Sequence, residues 1–247
     1  MAERAAAAPK RFPWLALILA GVAFAVLIGL GTWQVERLKW KETLLATIDE
    51  RIHSKPVPLA QLVKLFAETE DVDYWPVTAT GVFDHAREQH FFATHDGAAG
   101  YFVYTPLVQD RGETILVNRG FVPFDFKDPA TRIEGQTEGP VTVTGLARNP
   151  LDSKPSALVP NNDAAKNIYY WKDITLMAKQ SGVPEAKLVP FFVDADATPN
   201  AGGLPQGGVT IIDLPNNHLQ YAATWYGLAA TLAGVLGIWL WRRSQTV

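Results

Sequence analysis

The chain has no cysteine among its 247 residues. This excludes disulfide staples, thiolate nucleophiles, Cys-ligated zinc and thiolate copper sites together. It also has no excess of positive charge. Lys and Arg number 22 against 25 Asp and Glu, for a net charge of −3, so nucleic acid is a poor partner. The common catalytic signatures are missing as well: no G-x-S-x-G elbow, no H-E-x-x-H and no Walker loop. No internal repeat is present. What remains is a chain that is 48% hydrophobic, with its apolar residues gathered at the two ends.

The first apolar run extends from Phe12 to Val35 and the second from Leu219 to Trp241. Each is about 23 residues long, enough to cross a hydrocarbon core of roughly 30 Å. The first is too long for the apolar region of a secretory signal peptide, and the short N-terminus MAERAAAAPK has no transit-peptide character. Arg4, Lys10 and Arg11 precede the first run, and Arg242 and Arg243 follow the second. By the positive-inside rule both ends are cytoplasmic and the long middle is outside. Arg37, Lys39 and Lys41 at the start of the middle run against this orientation, but long loops translocate largely regardless of charge. A bacterial plasma membrane with a periplasmic loop follows. The expected layout is a cytoplasmic N-terminus over 1–11, a transmembrane helix over 12–35 and an external domain over 36–217. A second transmembrane helix over 218–241 and a cytoplasmic tail over 242–247 complete it.

The fold class expected is α+β, with two transmembrane helices flanking one external, mainly antiparallel β domain. The middle opens with LKWKETLLATIDERIH (38–53), where Leu38, Lys41, Leu45, Ile48 and Ile52 fall near one face. This helix is expected to continue from the first span along the membrane surface. Eight short runs rich in Val, Ile, Thr and aromatics then read as strands: YWPVTATGVFD, QHFFATH, YFVYTPLVQ, ETILVNRGFVP, VTVTGLAR, NIYYWKD, PFFVDAD and VTIIDL. One helix is expected over 173–180, with Gly182 near its end and Pro184 beyond. DATPNAGGLPQGG (196–208) reads as a loop.

Chemistry-bearing residues are few. His85, His90 and His95 are spaced so that a hairpin could gather them into a metal site, the basis of an anchored periplasmic metal-dependent hydrolase; three solvated histidines are the alternative. Asp194 and Asp196 read as a cation site or, more simply, as aspartates capping a strand before a Gly-rich loop. Asn118, Arg119 and Gly120 read as structural, with a carboxylate partner for Arg119 as the alternative.

The helices carry more. In the second, Ala223, Gly227, Ala230, Gly234 and Gly237 form one seam of small residues, and Gly21, Ala25 and Gly29 form a similar stripe in the first. The two spans are expected to pack through them; the alternative is the ordinary frequency of small residues in membrane helices. Asn217 is placed to cap the second helix. His218 then sits in its first turn, with Ala222, Trp225, Ala229, Leu232 and Leu236 within about 40° of it on the wheel and the seam opposite. On that basis His218 and Trp225 face outward. His218 is then either an interfacial residue or an axial haem ligand, since neutral imidazole binds haem iron and an apolar aromatic face suits the macrocycle.

The pieces LGTWQVERLKWKETLL, GYFVYTPL, ILVNRGFVP, GGLPQGG and NNHLQYAATWYGLA, in this order between two spans, resemble the surfeit-locus-one family. The resemblance spans nearly the whole chain, with Phe121 after NRG and Leu204 within GGLPQGG as local departures. It implies a non-enzymatic assembly factor for haem–copper cytochrome c oxidase that binds and delivers or stabilises haem a. The partners it implies are the oxidase catalytic subunit, haem a synthase and membrane lipid. It also implies that the histidine at the start of the second span, here His218, holds the haem iron, with Trp225, Ala222 and Ala229 as lining. A membrane scaffold that serves oxidase assembly and binds no haem is the alternative.

Overall fold

The computed structural model describes residues 13–210, 212 and 215–245. Arg4, Lys10 and Arg11, on which the N-terminal orientation rests, lie outside them. The chain forms two compact units, Met1–Ala46 with Asp213–Val247, and Thr47–Ile212.

The first unit contains one long apolar helix and most of another, whose last residues, 47–52, belong to the second unit. Helix α1 runs from Trp14 to Ile52 and α4 from His218 to Ser244. Both are long and apolar enough to cross a membrane. α1 has 39 residues, about 58 Å at the helical rise of 1.5 Å. That is nearly twice a hydrocarbon core. The expected membrane-surface helix is therefore not a separate element but the uninterrupted end of α1. No Pro or Gly falls between Thr32 and Ile52, so nothing in the sequence turns the helix aside.

The second unit is built on a seven-stranded sheet: β1 (Val57–Pro58), β2 (Pro76–Phe83), β3 (Gln89–His95), β4 (Ala98–Val108), β5 (Thr114–Pro123), β6 (Pro140–Arg148) and β7 (Leu188–Ala195). The spatial order is β1-β2-β6-β7-β5-β4-β3. β2 also pairs with β4 through Val82↔Val108 and Phe83↔Leu107, which closes β2, β6, β7, β5 and β4 into a barrel-like ring. Closure needs Gly81, because a Cβ there would stand 2.5 Å from the Val108 carbonyl oxygen. Most pairings are antiparallel, but β1–β2 and β5–β7 are parallel. The α+β class holds with a mixed sheet.

The ring encloses Val77, Ala79, Leu107, Ile115, Val117, Ala147, Phe191 and Val193, joined by Leu59 and Leu62 of α2 (Leu59–Thr69). α2 adds to the expected elements. Its apolar residues at 59, 62, 63 and 66 follow helical spacing. On the opposite face of β4, β5 and β7, Tyr104, Leu116 and Phe192 are covered by Tyr169 and by Met177 of α3 (Ile174–Gln180). β5 is thus buried on both faces, which explains its near-continuous apolar run. α3 begins as expected, with the Asp173 carboxylate accepting from the Leu176 amide at 2.9 Å.

One expected strand is absent, and another falls partly outside the described residues. The NIYYWKD backbone pairs with the sheet only at the edge strand β3, where the Tyr169 amide donates to the His90 carbonyl at 2.9 Å and the Tyr169 carbonyl accepts from the Phe92 amide at 2.8 Å in a single parallel bridge, and the Tyr169 hydroxyl donates to Gln89 Oε1 at 2.7 Å. Its composition is that of a strand, but its packing contribution is the Tyr169 ring, buried with Tyr104, Leu116 and Phe192. In VTIIDL, residues 209, 210 and 212 form no strand, and Ile211, Asp213 and Leu214 lie outside the described residues.

Candidate functional site

α4 begins at His218, and Asn217 occupies the cap position without a side-chain capping bond. The covered stripe of α4 comprises His218, Ala222, Trp225, Ala229, Leu232 and Leu236. Ala222 and Ala229 are only 2% and 1% exposed. Contacts from this side reach α1. The Tyr226 hydroxyl lies 3.1 Å from Thr32 Oγ1, and a Cβ on Gly31 would meet the Tyr226 ring at 2.7 Å. His218 Nδ1 lies 2.7 Å from Gln34 Oε1.

The expected packing through the small seam is therefore reversed. Gly227, Gly234 and Gly237 have open space where a Cβ would stand, as do Gly21 and Gly29 in α1. Two considerations account for this. Ala222, Ala229 and Gly31 give the other face small residues of its own. That face also carries the polar groups Gln34, Thr32, Tyr226 and His218, which find partners only by facing each other when water is scarce. Small-residue spacing alone does not weigh the polar term. It follows that Ala222 and Ala229 do not form an open apolar wall beside His218. A flat ligand reaches them only if the helices part. The His218 ring is half-buried, and among the described residues no hydrogen bond reaches its Nε2.

In the β domain the structure brings together two pieces that the sequence separates. Phe121 of β5 exchanges backbone hydrogen bonds with Gln206 of the Gly-rich loop, at 2.8 and 2.9 Å. Arg119 donates to the Gly135 carbonyl and, at 3.2 Å, to Asn200 Oδ1. Its guanidinium lies 4.8 Å from the Phe83 ring centre. Burial lowers the Arg119 pKa to about 10, which leaves it cationic at neutral pH. Asn118 Nδ2 donates to Asp194 Oδ1 at 3.0 Å, and Asn118 Oδ1 accepts from the Gly120 amide at 3.1 Å. These bonds match the structural reading of Asn118 and Arg119. Asp194 also accepts from Thr210 Oγ1, and Asp196 accepts from the Thr198 amide at 2.9 Å, which is the capping role rather than an open cation site.

The three histidines are not gathered. His85 lies in a short 3-10 turn between Arg119 and the Thr137 carbonyl. His90 is buried against Glu88 at 3.2 Å, and His95 faces Asp96 at 3.6 Å. Among the described residues no group of three or more His, Asp or Glu side chains could hold a metal ion. Sequence reading missed the buried Glu88–Arg132 ion pair beside His90. Burial raises the Glu88 pKa, but hydrogen bonds from His90 and Arg132 outweigh it, and the net direction is down. A charged residue between two apolar strands was the available signal.

The architecture defines a class: a closed mixed-sheet domain between two apolar helices of membrane-spanning length, whose helices pair through a histidine and a glutamine. Comparison with known proteins makes the assignment specific. The sequence profile of the SURF1 family matches residues 21–230. The chain is 37% identical to Surfeit locus protein 1 of Rattus norvegicus over 249 residues, covering 93% of this chain and 74% of the relative. For Mus musculus the identity is 39% over 236 residues, covering 88% and 72%. For Homo sapiens it is 38% over 234 residues, covering 88% and 73%. The chain belongs to the SURF1 family.

Proposed function

We propose that this protein is a membrane-anchored assembly factor for haem–copper cytochrome c oxidase, and that it holds haem a through His218 while the oxidase catalytic subunit matures. Family membership supports the assembly role. The observation that carries the haem reading is the His218 ring, half-buried at the first turn of α4 with Nδ1 anchored and Nε2 free of any described hydrogen bond. An imidazole fixed at one nitrogen and open at the other is the ordinary form of a haem ligand. Trp225, half-buried about two turns further on, is the aromatic available to a macrocycle beside it. The reading requires no turnover, so the protein is a chaperone rather than an enzyme. Haem a synthase, as the source of the cargo, and membrane lipid are the further partners.

The localisation proposed is the bacterial plasma membrane, with both termini cytoplasmic and the β domain periplasmic. Arg242 and Arg243 at the end of α4 support it.

The test is a visible absorption spectrum of wild type and His218→Ala, purified in mild detergent from cells that make haem a. A haem a spectrum in the wild type that is lost in an equally folded variant is the expected result. Haem kept by the variant moves the ligand elsewhere. No haem in either favours the scaffold alternative, for which the open seam Ala223, Gly227, Ala230, Gly234 and Gly237 offers a surface to another membrane helix.

A further inference from the structure

The contact between His218 and Gln34 joins residues 184 positions apart, on α4 and α1, and it is short at 2.7 Å. Gln34 is only 8% exposed, so the contact is sheltered from competing water. An amide oxygen accepts hydrogen bonds and does not donate them. With Oε1 facing the ring, the contact is a hydrogen bond only for the tautomer with its proton on Nδ1 and its lone pair on Nε2. A free histidine side chain favours the opposite tautomer, with the proton on Nε2, which leaves no lone pair there.

We propose that Gln34 is the positioning residue for His218: it fixes the Nδ1–H tautomer and the ring orientation, and so makes Nε2 the ligating atom. The second half of this statement rests on the haem reading given above, whereas the first does not. Two features of the structure support the assignment. The Gln34 side chain comes from the partner helix, so the ring is held by the helix pair and not by its own flexible first turn. One turn before Gln34, Gly31 and Thr32 meet Tyr226, which fixes α1 against α4 beside the contact. A hydrogen bond from the distal nitrogen also increases the donor strength of the ligating one, and loss of such outer partners typically costs 10–100-fold in metal affinity.

The experiment uses the full chain, labelled with 15N, in mild detergent. It compares wild type, Gln34→Leu, which removes the acceptor, and Gln34→Glu, which keeps one. The His218 ring nitrogens are identified by their loss in His218→Ala. Without haem, the expected result is a protonated Nδ1 and an unprotonated Nε2 in wild type and Gln34→Glu, with the proton moved to Nε2 in Gln34→Leu. A proton on Nε2 in the wild type means that the Gln34 amide donates instead, and it overturns the proposal. An unchanged tautomer in Gln34→Leu overturns it too. Haem a is then titrated into each protein. Gln34→Leu should bind roughly 10–100-fold more weakly, while Gln34→Glu should bind near wild-type strength with a lower midpoint potential, because a carboxylate acceptor makes the ring more electron-rich. Equal affinity and potential in all three, with binding lost in His218→Ala, overturns the positioning role and leaves the haem reading intact. If wild type binds no haem a, the haem reading fails, and the nitrogen shifts alone decide whether Gln34 sets the tautomer.

Discussion

Arg119 donates through its NH1 group to His85 Nδ1 over 3.3 Å. Because a guanidinium only donates, this bond places the His85 proton on Nε2, where the ring in turn donates to the Thr137 carbonyl at 2.9 Å. Both nitrogens of a neutral ring are used, and an imidazolium beside Arg119 is disfavoured. Burial, opposed by the Thr137 bond and reinforced by the Arg119 charge, lowers the His85 pKa below 6.5. The unfolded chain then takes up the proton first as pH falls. The stability due to neutral His85 is full above about pH 6.5 and is lost as pH falls toward the lowered folded value. His85→Gln, which can accept from Arg119 and donate to Thr137, should match wild type at pH 8 and show a flatter loss of stability between pH 7 and 5. Urea midpoints across that range test this; parallel curves would rule it out.

The Glu88–Arg132 pair is buried on both sides, with side-chain exposures of 3% and 2%. Removing Arg132 leaves the buried Glu88 carboxylate with only the His90 contact. Arg132→Met should destabilise the β domain by about 3–5 kcal/mol. Replacing both residues by Met and Leu should cost less than the sum of the single changes. Additive losses in denaturant unfolding would show that the two charges are not coupled.

Gly120 is held at φ +124°, and a Cβ there would stand 1.9 Å from the Gln206 carbonyl oxygen. Gly120→Ala must push the Gly-rich loop off β5 and strain the backbone together. A loss of about 2–4 kcal/mol is expected, with increased proteolysis within 196–208. Wild-type stability in this variant would mean that the loop docks differently.

In the helix pair, Gly31→Val should be harmful because it meets the Tyr226 ring, and Tyr226→Phe should cost about 0.6 kcal/mol through loss of the Thr32 bond. Gly234→Leu should be neutral for the isolated protein, since its Cβ position is open. Unfolding in mixed SDS–detergent micelles, followed by tryptophan fluorescence, reads all three. Destabilisation by Gly234→Leu with tolerance of Gly31→Val would restore packing through the small seam.

The absence of native cysteine makes topology directly measurable. Leu158 is 93% exposed in the β domain. Leu158→Cys should react with a membrane-impermeant maleimide in intact cells whose outer membrane has been permeabilised. Gln245→Cys should react only after lysis. The reverse pattern would invert the proposed orientation.

The sequence by itself determined the elements whose signals are local. Two uninterrupted apolar runs marked α1 and α4, alternating β-branched and aromatic residues marked six of the strands, and Asp173 marked the start of α3. It failed where composition does not reveal partners. NIYYWKD has the residues of a strand, yet only Tyr169 pairs with the edge of the sheet. The parallel pairing of β5 with β7 and the β2–β4 closure depend on contacts between distant segments that no local period encodes. The same limit applies to the site. His218 was legible as a polar residue at the head of an apolar helix, but its helical wheel pointed the wrong face outward. Packing of two membrane-length helices is decided jointly by steric fit and by which polar groups must find each other. Only the tertiary structure set Gln34 opposite His218 and left the glycine seam open, because that balance depends on both helices at once.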